Sequence, residues 1–183
     1  MSAEPSVASR LIYRGRIAAV RVDDVRLPSG RVERREIIEH PGAAAVVAVT
    51  GDEDVVLVWQ YRKAIESDLL EIPAGTLDPG ETPLRCAHRE LAEETGLRAA
   101  SMEPLVTYVP SPGILTEAIA IFLASGLSAV VAPTEPEEEG LRVVRVPLAR
   151  IPALIDAGEI RDGKSLVGLL LALRRRGDAR RPA

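Results

Sequence analysis

Aromatic residues are scarce in this 183-residue chain: one Trp, three Tyr and one Phe, 3% of the total. Its core must therefore be built from Val, Leu, Ile and Ala. Cysteine occurs once, at Cys86, which excludes an internal disulfide. Cys86 falls inside a helical pattern, where a small buried hydrophobe is the expected role rather than a nucleophile. The only histidines, His40 and His88, leave no Ser–His–Asp set to assemble. His88 lies within the helix and reads as structural; His40 precedes a turn with no partner in sight. No apolar run approaches the length of a membrane span, and the opening MSAEPSVASR lacks the apolar centre of a signal peptide. Positive charge is not in excess. A net charge of −4 gives no hint of nucleic-acid binding as a general function. What is present, 46% hydrophobic and 27% charged residues, is ordinary for a soluble globular protein. The length suggests one domain with a core of useful size. The expectation is a cytoplasmic protein that engages neither nucleic acid nor membrane.

The stretch from Gly75 to Leu97, GTLDPGETPLRCAHRELAEETGL, concentrates the chemistry. Thr82 is a good N-cap, Pro83 suits the first helical position and Gly96 suits the left-handed residue after the last turn. Between them RCAHRELAEET is a strong helix former. On that helix Glu90, Glu93 and Glu94 stand at i, i+3 and i+4 and share a face, while Leu84, Ala87 and Leu91 make an apolar stripe. Three like charges on adjacent turns repel, and a hard divalent cation would relieve them. An all-oxygen set points to Mg2+, with Mn2+ possible, rather than zinc. The plain alternative is a solvated acidic face. Against it stands the preceding loop EIPAGTLDPGE, too rich in Gly and Pro to be a simple connector and leading straight into the acidic turn.

Elsewhere the chain alternates strand and turn signals. Residues 1–8 read as disordered. Residues 9–25 have β character interrupted at Arg14-Gly15-Arg16, and after the turn Pro28-Ser29-Gly30 the run RVERREIIEH returns as a strand. Residues 1–40 thus form an N-terminal antiparallel arm rich in Arg: either a solvated hairpin or a dimer element whose arginines reach an anionic ligand. Residues 43–50 read as a buried strand, 55–62 as its neighbour, and 69–73 as a short strand. Arg62 ends the second of these, as an edge salt bridge or a phosphate or ribose contact. After the acidic stretch, 105–110 and 118–124 are extended, with Ser111-Pro112-Gly113 a loop between them. Residues 133–140, PTEPEEEG, form an acidic loop before a strand at 141–146. Helices follow at 149–157 and 166–175, then a frayed basic tail over 177–183. The order suits an α/β (α+β) fold with a mixed sheet and helices on its faces.

One resemblance covers the central stretch. Gly75, five residues, Glu81, seven residues, Arg89-Glu90-Leu91, one residue, Glu93-Glu94, one residue, Gly96-Leu97: this resembles the Nudix hydrolase box with every defining position filled. The resemblance implies an α/β/α sandwich over residues 41–176 and Mg2+-dependent cleavage of a nucleoside diphosphate linked to a further group. It further implies that Glu90, Glu94 and Glu93, with the carbonyl of Ala74, hold metal, that Arg89 holds the glutamates in place and that Glu81 braces the loop. The flanks are similar to the members that cleave ADP-ribose to AMP and ribose 5-phosphate. Pro112 is the fifteenth residue after Leu97, and SPGILTE, YRGRI, QYR and LLEIPAG are similar to segments of that subgroup, although Ile114 and Thr116 depart from its usual residues. This implies a homodimer with exchanged arms, Arg16 and Ile17 sandwiching adenine across the dimer. It also implies substrate contacts at Arg62, Asp78, Pro112 and Gly113, and Glu138 or Glu139 as general base. Alternatives are a pyrophosphatase for another nucleotide sugar or dinucleotide (GDP-sugar, NADH, FAD) and, less favoured, a nucleotide-sensing module that does not cleave.

Overall fold

The structure is a computed structural model that describes residues 3–131 and 140–179. The backbone gathers into two units: one runs to Gly42 and takes in Val109–Ala118, the other comprises Ala43–Tyr108 and the chain from Ile119 onward.

In the first unit β1 (Ser6–Arg14), β2 (Ala19–Arg26) and β3 (Val32–Glu39) form an antiparallel sheet in that order. The β2–β3 turn closes through Leu27 N–H to the Arg31 carbonyl at 2.8 Å, with Gly30 at φ 85°, a conformation that suits glycine. Residues 6–8, expected to be disordered, belong to β1. Arg26 N–H donates to the Pro5 carbonyl at 3.0 Å and Ser6 Oγ to Asp23 Oδ2 at 3.0 Å, so the strand is pinned at its start. Asp23 is buried, and its bond from the Arg21 guanidinium holds its carboxyl down at about 2. The segment 109–118 docks on β3 through Ile38 N–H to the Ile114 carbonyl (2.7 Å) and Thr116 N–H to the Ile38 carbonyl (3.0 Å). This also supplies His40 with partners that lie far off in sequence. Its backbone N–H donates to Thr116 Oγ1 at 3.0 Å, and its Nδ1 lies 3.4 Å from Glu117 Oε1.

The second unit holds β4 (Ala43–Val49), β5 (Asp54–Arg62), β6 (Ser67–Glu71), β7 (Ala74–Thr76), α1 (Pro83–Thr95), β8 (Leu97–Tyr108), β9 (Ile119–Ala129), β10 (Arg142–Pro147), α2 (Ile151–Asp156) and α3 (Gly163–Ala179). The strand order is β10-β5-β4-β9-β8, with β6 on β5 and β7 on β4. β4 and β9 are parallel and the other pairings antiparallel, so the sheet is mixed as expected. β4 is buried along its whole length. Its alternating side chains serve both faces: Ala45, Val47 and Val49 pack with Ile151, Leu169 and Ala172 of α2 and α3, whereas Ala44, Val46 and Ala48 pack with Cys86, Ala87 and Leu91 of α1. The result is the α/β/α sandwich, with a core of Val, Leu, Ile and Ala in which Phe122 is the one buried aromatic among the described residues.

Several elements differ from the sequence reading. β8 begins at Leu97, not Leu105, because it pairs with β9 along its whole length, from Leu97↔Ala129 to Tyr108↔Ile119. A register shift between Pro104 and Val106 breaks the alternation that would have revealed it. α3 starts at Gly163 rather than Leu166: Asp162 Oδ1 accepts from Ser165 N–H at 3.2 Å, and its carbonyl accepts from Leu166 N–H at 3.0 Å. It continues to Ala179, into the segment expected to fray. Ion pairs hold its last turns, Arg175 with Glu103 at 3.5 Å and Arg176 with Glu53 at 2.6 Å. Leu84 is exposed; the buried stripe of α1 is Cys86, Ala87, Glu90, Leu91 and Glu94.

Candidate active site

α1 starts and stops where its caps require. Thr82 Oγ1 accepts from Arg85 N–H at 3.4 Å, Pro83 occupies the first turn, and Gly96 turns at φ 64° with its N–H on the Ala92 carbonyl. The acidic side is not a solvated face. Glu90 and Glu94 are 9% and 8% exposed, turned toward the sheet together with the apolar stripe.

Arg89 organises the carboxylates. Its Nη1 donates to Glu90 Oε1 at 2.6 Å and Glu93 Oε2 at 3.0 Å; Nε and Nη2 form a fork on Glu81 at 3.1 and 2.9 Å; Nη2 also reaches the Thr76 carbonyl at 3.1 Å. One guanidinium thereby ties α1 to the loop before it with charge-assisted bonds. Asp78, at the edge of this network, is largely exposed, with Oδ2 3.8 Å from Arg89 Nε. The Cys86 thiol lies beneath, 3.5 Å from the Gly75 carbonyl, and burial pushes it up to about 12, the inert state expected. β7 comes so close that a Cβ on Gly75 would lie 1.9 Å from Glu90 Oε1. The next residue back, Ala74, donates its N–H to Glu94 Oε2 at 2.9 Å. Burial, reinforced by the Glu90 charge, pushes the Glu94 carboxyl up to about 8.

A second charge cluster adjoins Glu94. Arg62 forms a fork on Glu71, Nε to Oε1 at 3.1 Å and Nη2 to Oε2 at 2.5 Å. Lys164 Nζ donates to Glu71 Oε2 at 2.6 Å and to Asp162 Oδ1 at 2.8 Å. Glu71 is 2% exposed. Burial opposes its ionisation, but Arg62 and Lys164 outweigh burial and hold its carboxyl below the usual range. The sequence reading passed over Glu71, Asp162 and Lys164. The only local signal was Asp162, a capping residue ahead of an apolar run; nothing in the spacing of 71 and 164 announces a contact 93 residues apart.

The remaining expected residues lie in the first unit or outside the described residues. Arg16 and Ile17 are exposed at the tip between β1 and β2, beside a shallow cleft of about 320 Å³ that Glu39, His40 and Pro41 also line. Pro112 and Gly113 are exposed in the turn that begins at Ser111. Glu138 and Glu139 fall outside the described residues.

Residues 39–166 match the NUDIX domain. The chain belongs to the Nudix family. Ahead of that domain, residues 6–38 match the nucleoside diphosphate sugar hydrolase N-terminal domain. Among relatives, the chain is 40% identical to a methanol dehydrogenase activator of Bacillus methanolicus, over 91% of this chain and 90% of that one. It is 39% identical to an ADP-ribose pyrophosphatase of Bacillus subtilis (strain 168), over 88% of each. A solved structure described as ADP compounds hydrolase superimposes with a TM-score of 0.85 at 25% identity, covering 98% of this chain and 97% of that one. The sandwich of the second unit is thus a Nudix fold, and Nudix hydrolases work with a divalent metal. Among the described residues no three His, Cys, Asp or Glu side chains are gathered into a metal cage. The donor chemistry nonetheless fits such an ion. A buried carboxylate raised to about 8, beside a second buried carboxylate, is a site short of positive charge.

Proposed function

We propose that this Nudix protein is a Mg2+-dependent pyrophosphohydrolase that cleaves ADP-ribose to AMP and ribose 5-phosphate by attack of water on the diphosphate. The observation that carries the reading is the 39% identity, across both the Nudix domain and the N-terminal sheet, to an ADP-ribose pyrophosphatase. The buried carboxylates of α1 agree with it. Glu90, Glu93 and Glu94, with the carbonyl of Ala74, hold Mg2+, for which Mn2+ can substitute. The bound ion supplies neutralisation of the diphosphate and a water of lowered pKa. Arg89 keeps Glu90 and Glu93 at their stations, so little reorganisation is left to the reaction. Arg62 receives the diphosphate, Asp78 meets the substrate at the mouth, and Pro112-Gly113 borders it. Glu138 or Glu139 takes the proton from the attacking water. The protein works as a cytoplasmic homodimer with exchanged arms, so that Arg16 and Ile17 of the partner subunit enclose adenine. The open apolar side chains of β1, Val7, Leu11, Ile12 and Tyr13, suit an edge that pairs with a second copy.

A second reading has one observation in its favour: the 40% identical relative bears a different name. Another nucleotide sugar or a dinucleotide would then be the preferred substrate. The deciding experiment is Mg2+-dependent hydrolysis of ADP-ribose, GDP-mannose, NADH, FAD and diadenosine polyphosphates, with products identified. ADP-ribose is expected to lead, yielding AMP and ribose 5-phosphate. Preference for another compound moves the assignment to that compound, and binding without cleavage makes the protein a sensor.

A further inference from the structure

Two charges, the buried Glu71 and the half-buried Lys164, have no part in the chemistry above, yet Glu71 meets the residue proposed to receive the diphosphate and Lys164 meets Glu71. Arg62 is one-third exposed and engages Glu71 through Nε and Nη2, which fixes the plane of its guanidinium. Among the described residues Nη1 has no partner, so one donor group of the fork is turned away from Glu71 and available. Glu71 in turn is held by a second cation, on the oxygen that also accepts from Arg62 Nη2. Lys164 Nζ sits 2.6 Å from Oε2, and Lys164 is itself held 2.8 Å from Asp162 Oδ1 at the start of α3. The next residue along each segment repeats the tie: Ser165 Oγ accepts from Ile72 N–H at 2.9 Å, and Ser165 is fully buried. Two consecutive residues of α3 therefore grip the last residue of β6 and the one that follows it. The packing is tight at this corner as well, since a Cβ on Gly163 would lie 2.5 Å from the Tyr108 hydroxyl.

A carboxylate with a single partner can rotate and carry that partner with it. A carboxylate held by an arginine fork on both oxygens and by an ammonium on one of them cannot. Because Glu71 is shared between two cations, it orients Arg62 without being given over wholly to its charge. We propose that Lys164 and Glu71 are positioning residues that hold the Arg62 guanidinium in the orientation that receives the substrate's diphosphate. This rests on the reading above in which Arg62 contacts substrate.

The test is steady-state kinetics on ADP-ribose, or on whichever substrate leads the panel, for Arg62→Ala, Lys164→Met, Lys164→Arg, Glu71→Gln and the double variant Arg62→Ala/Lys164→Met. Circular dichroism is recorded first to establish folding. Lys164→Met is expected to raise KM about tenfold, the size of one charge-assisted contact, with kcat changed less than about threefold. Glu71→Gln is expected to move KM in the same direction. Lys164→Arg should restore most of the affinity, because a guanidinium can still donate to Glu71. In the Arg62→Ala background, Lys164→Met should add nothing further to KM. An equal KM rise in both backgrounds, or a loss of kcat at constant KM, overturns the proposal. If Arg62→Ala itself leaves KM unchanged, the Arg62 contact is wrong and the proposal falls with it, while the substrate assignment from the panel stands. Should Lys164→Met fail to fold, Lys164→Gln, which removes the charge but keeps a donor, is read by the same comparison of backgrounds.

Discussion

Glu94 carries the sharpest consequence of the α1 geometry. Its carboxyl is raised from 4.5 to about 8 by burial and by Glu90, so in the metal-free protein the folded state holds a proton that the unfolded state has released. Between those two values stability must fall as pH rises, by a few kcal/mol at most. Divalent metal should reverse the trend, since binding favours the ionised form, and metal affinity should climb as pH approaches 8. Denaturant unfolding in chelator at pH 5.5 and 8 checks the first point. Glu94→Gln, which keeps an acceptor for Ala74 N–H, should flatten the pH dependence while lowering kcat by ~100-fold or more. Near-normal turnover in Glu94→Gln would remove Glu94 from the metal site.

The close approach of β7 to α1 makes Gly75 a geometric requirement of the site. An added methyl would stand 1.9 Å from Glu90 Oε1, and what yields is the end of a flexible side chain rather than backbone. Gly75→Ala is therefore expected to fold, with a melting temperature within a few degrees of the parent, and to lose about tenfold or more in kcat as Glu90 and its bond to Arg89 are displaced. Calorimetry and kinetics on the same preparation separate the two effects. This element was largely legible beforehand. Thr82, Pro83 and Gly96 cap it as their chemistry demands, and the spacing of Glu90, Glu93 and Glu94 marks one face. The apolar stripe was misassigned at Leu84 because helical periodicity alone does not say where the sheet lies. The buried arc includes Cys86 and two glutamates.

The N-terminal sheet poses the question of assembly. β1 exposes Val7, Leu11, Ile12 and Tyr13 on an edge strand, and Arg16 and Ile17 cap its hairpin. If the arm serves the partner subunit's site, two inactive variants should complement. Arg16→Ala/Ile17→Ala mixed with Glu94→Gln, after subunit exchange, should regain about a quarter of wild-type activity, because half of the random dimers each contain one intact composite site. Light scattering should show a dimer in the same samples. A monomer, or a mixture no more active than its parts, would mean that each chain completes its own site.

Much about this protein follows from neighbours along the chain: the capped acidic helix, the glycine-rich loop before it, the buried strand at 43–49, the mixed α/β composition and membership of the Nudix family. These rest on short-range rules of capping, periodicity and backbone freedom, which a linear pattern displays in full. Other features exist only once distant segments meet. The burial that raises Glu94, the docking of 109–118 on β3 and its contacts with His40, and the full length of β8 against β9 are of this kind. So is the clamp of Lys164 on Glu71 across 93 residues. None has a local signature, because the free energy of a buried charge or a strand pairing depends on what is packed against it, and that partner is chosen by the fold.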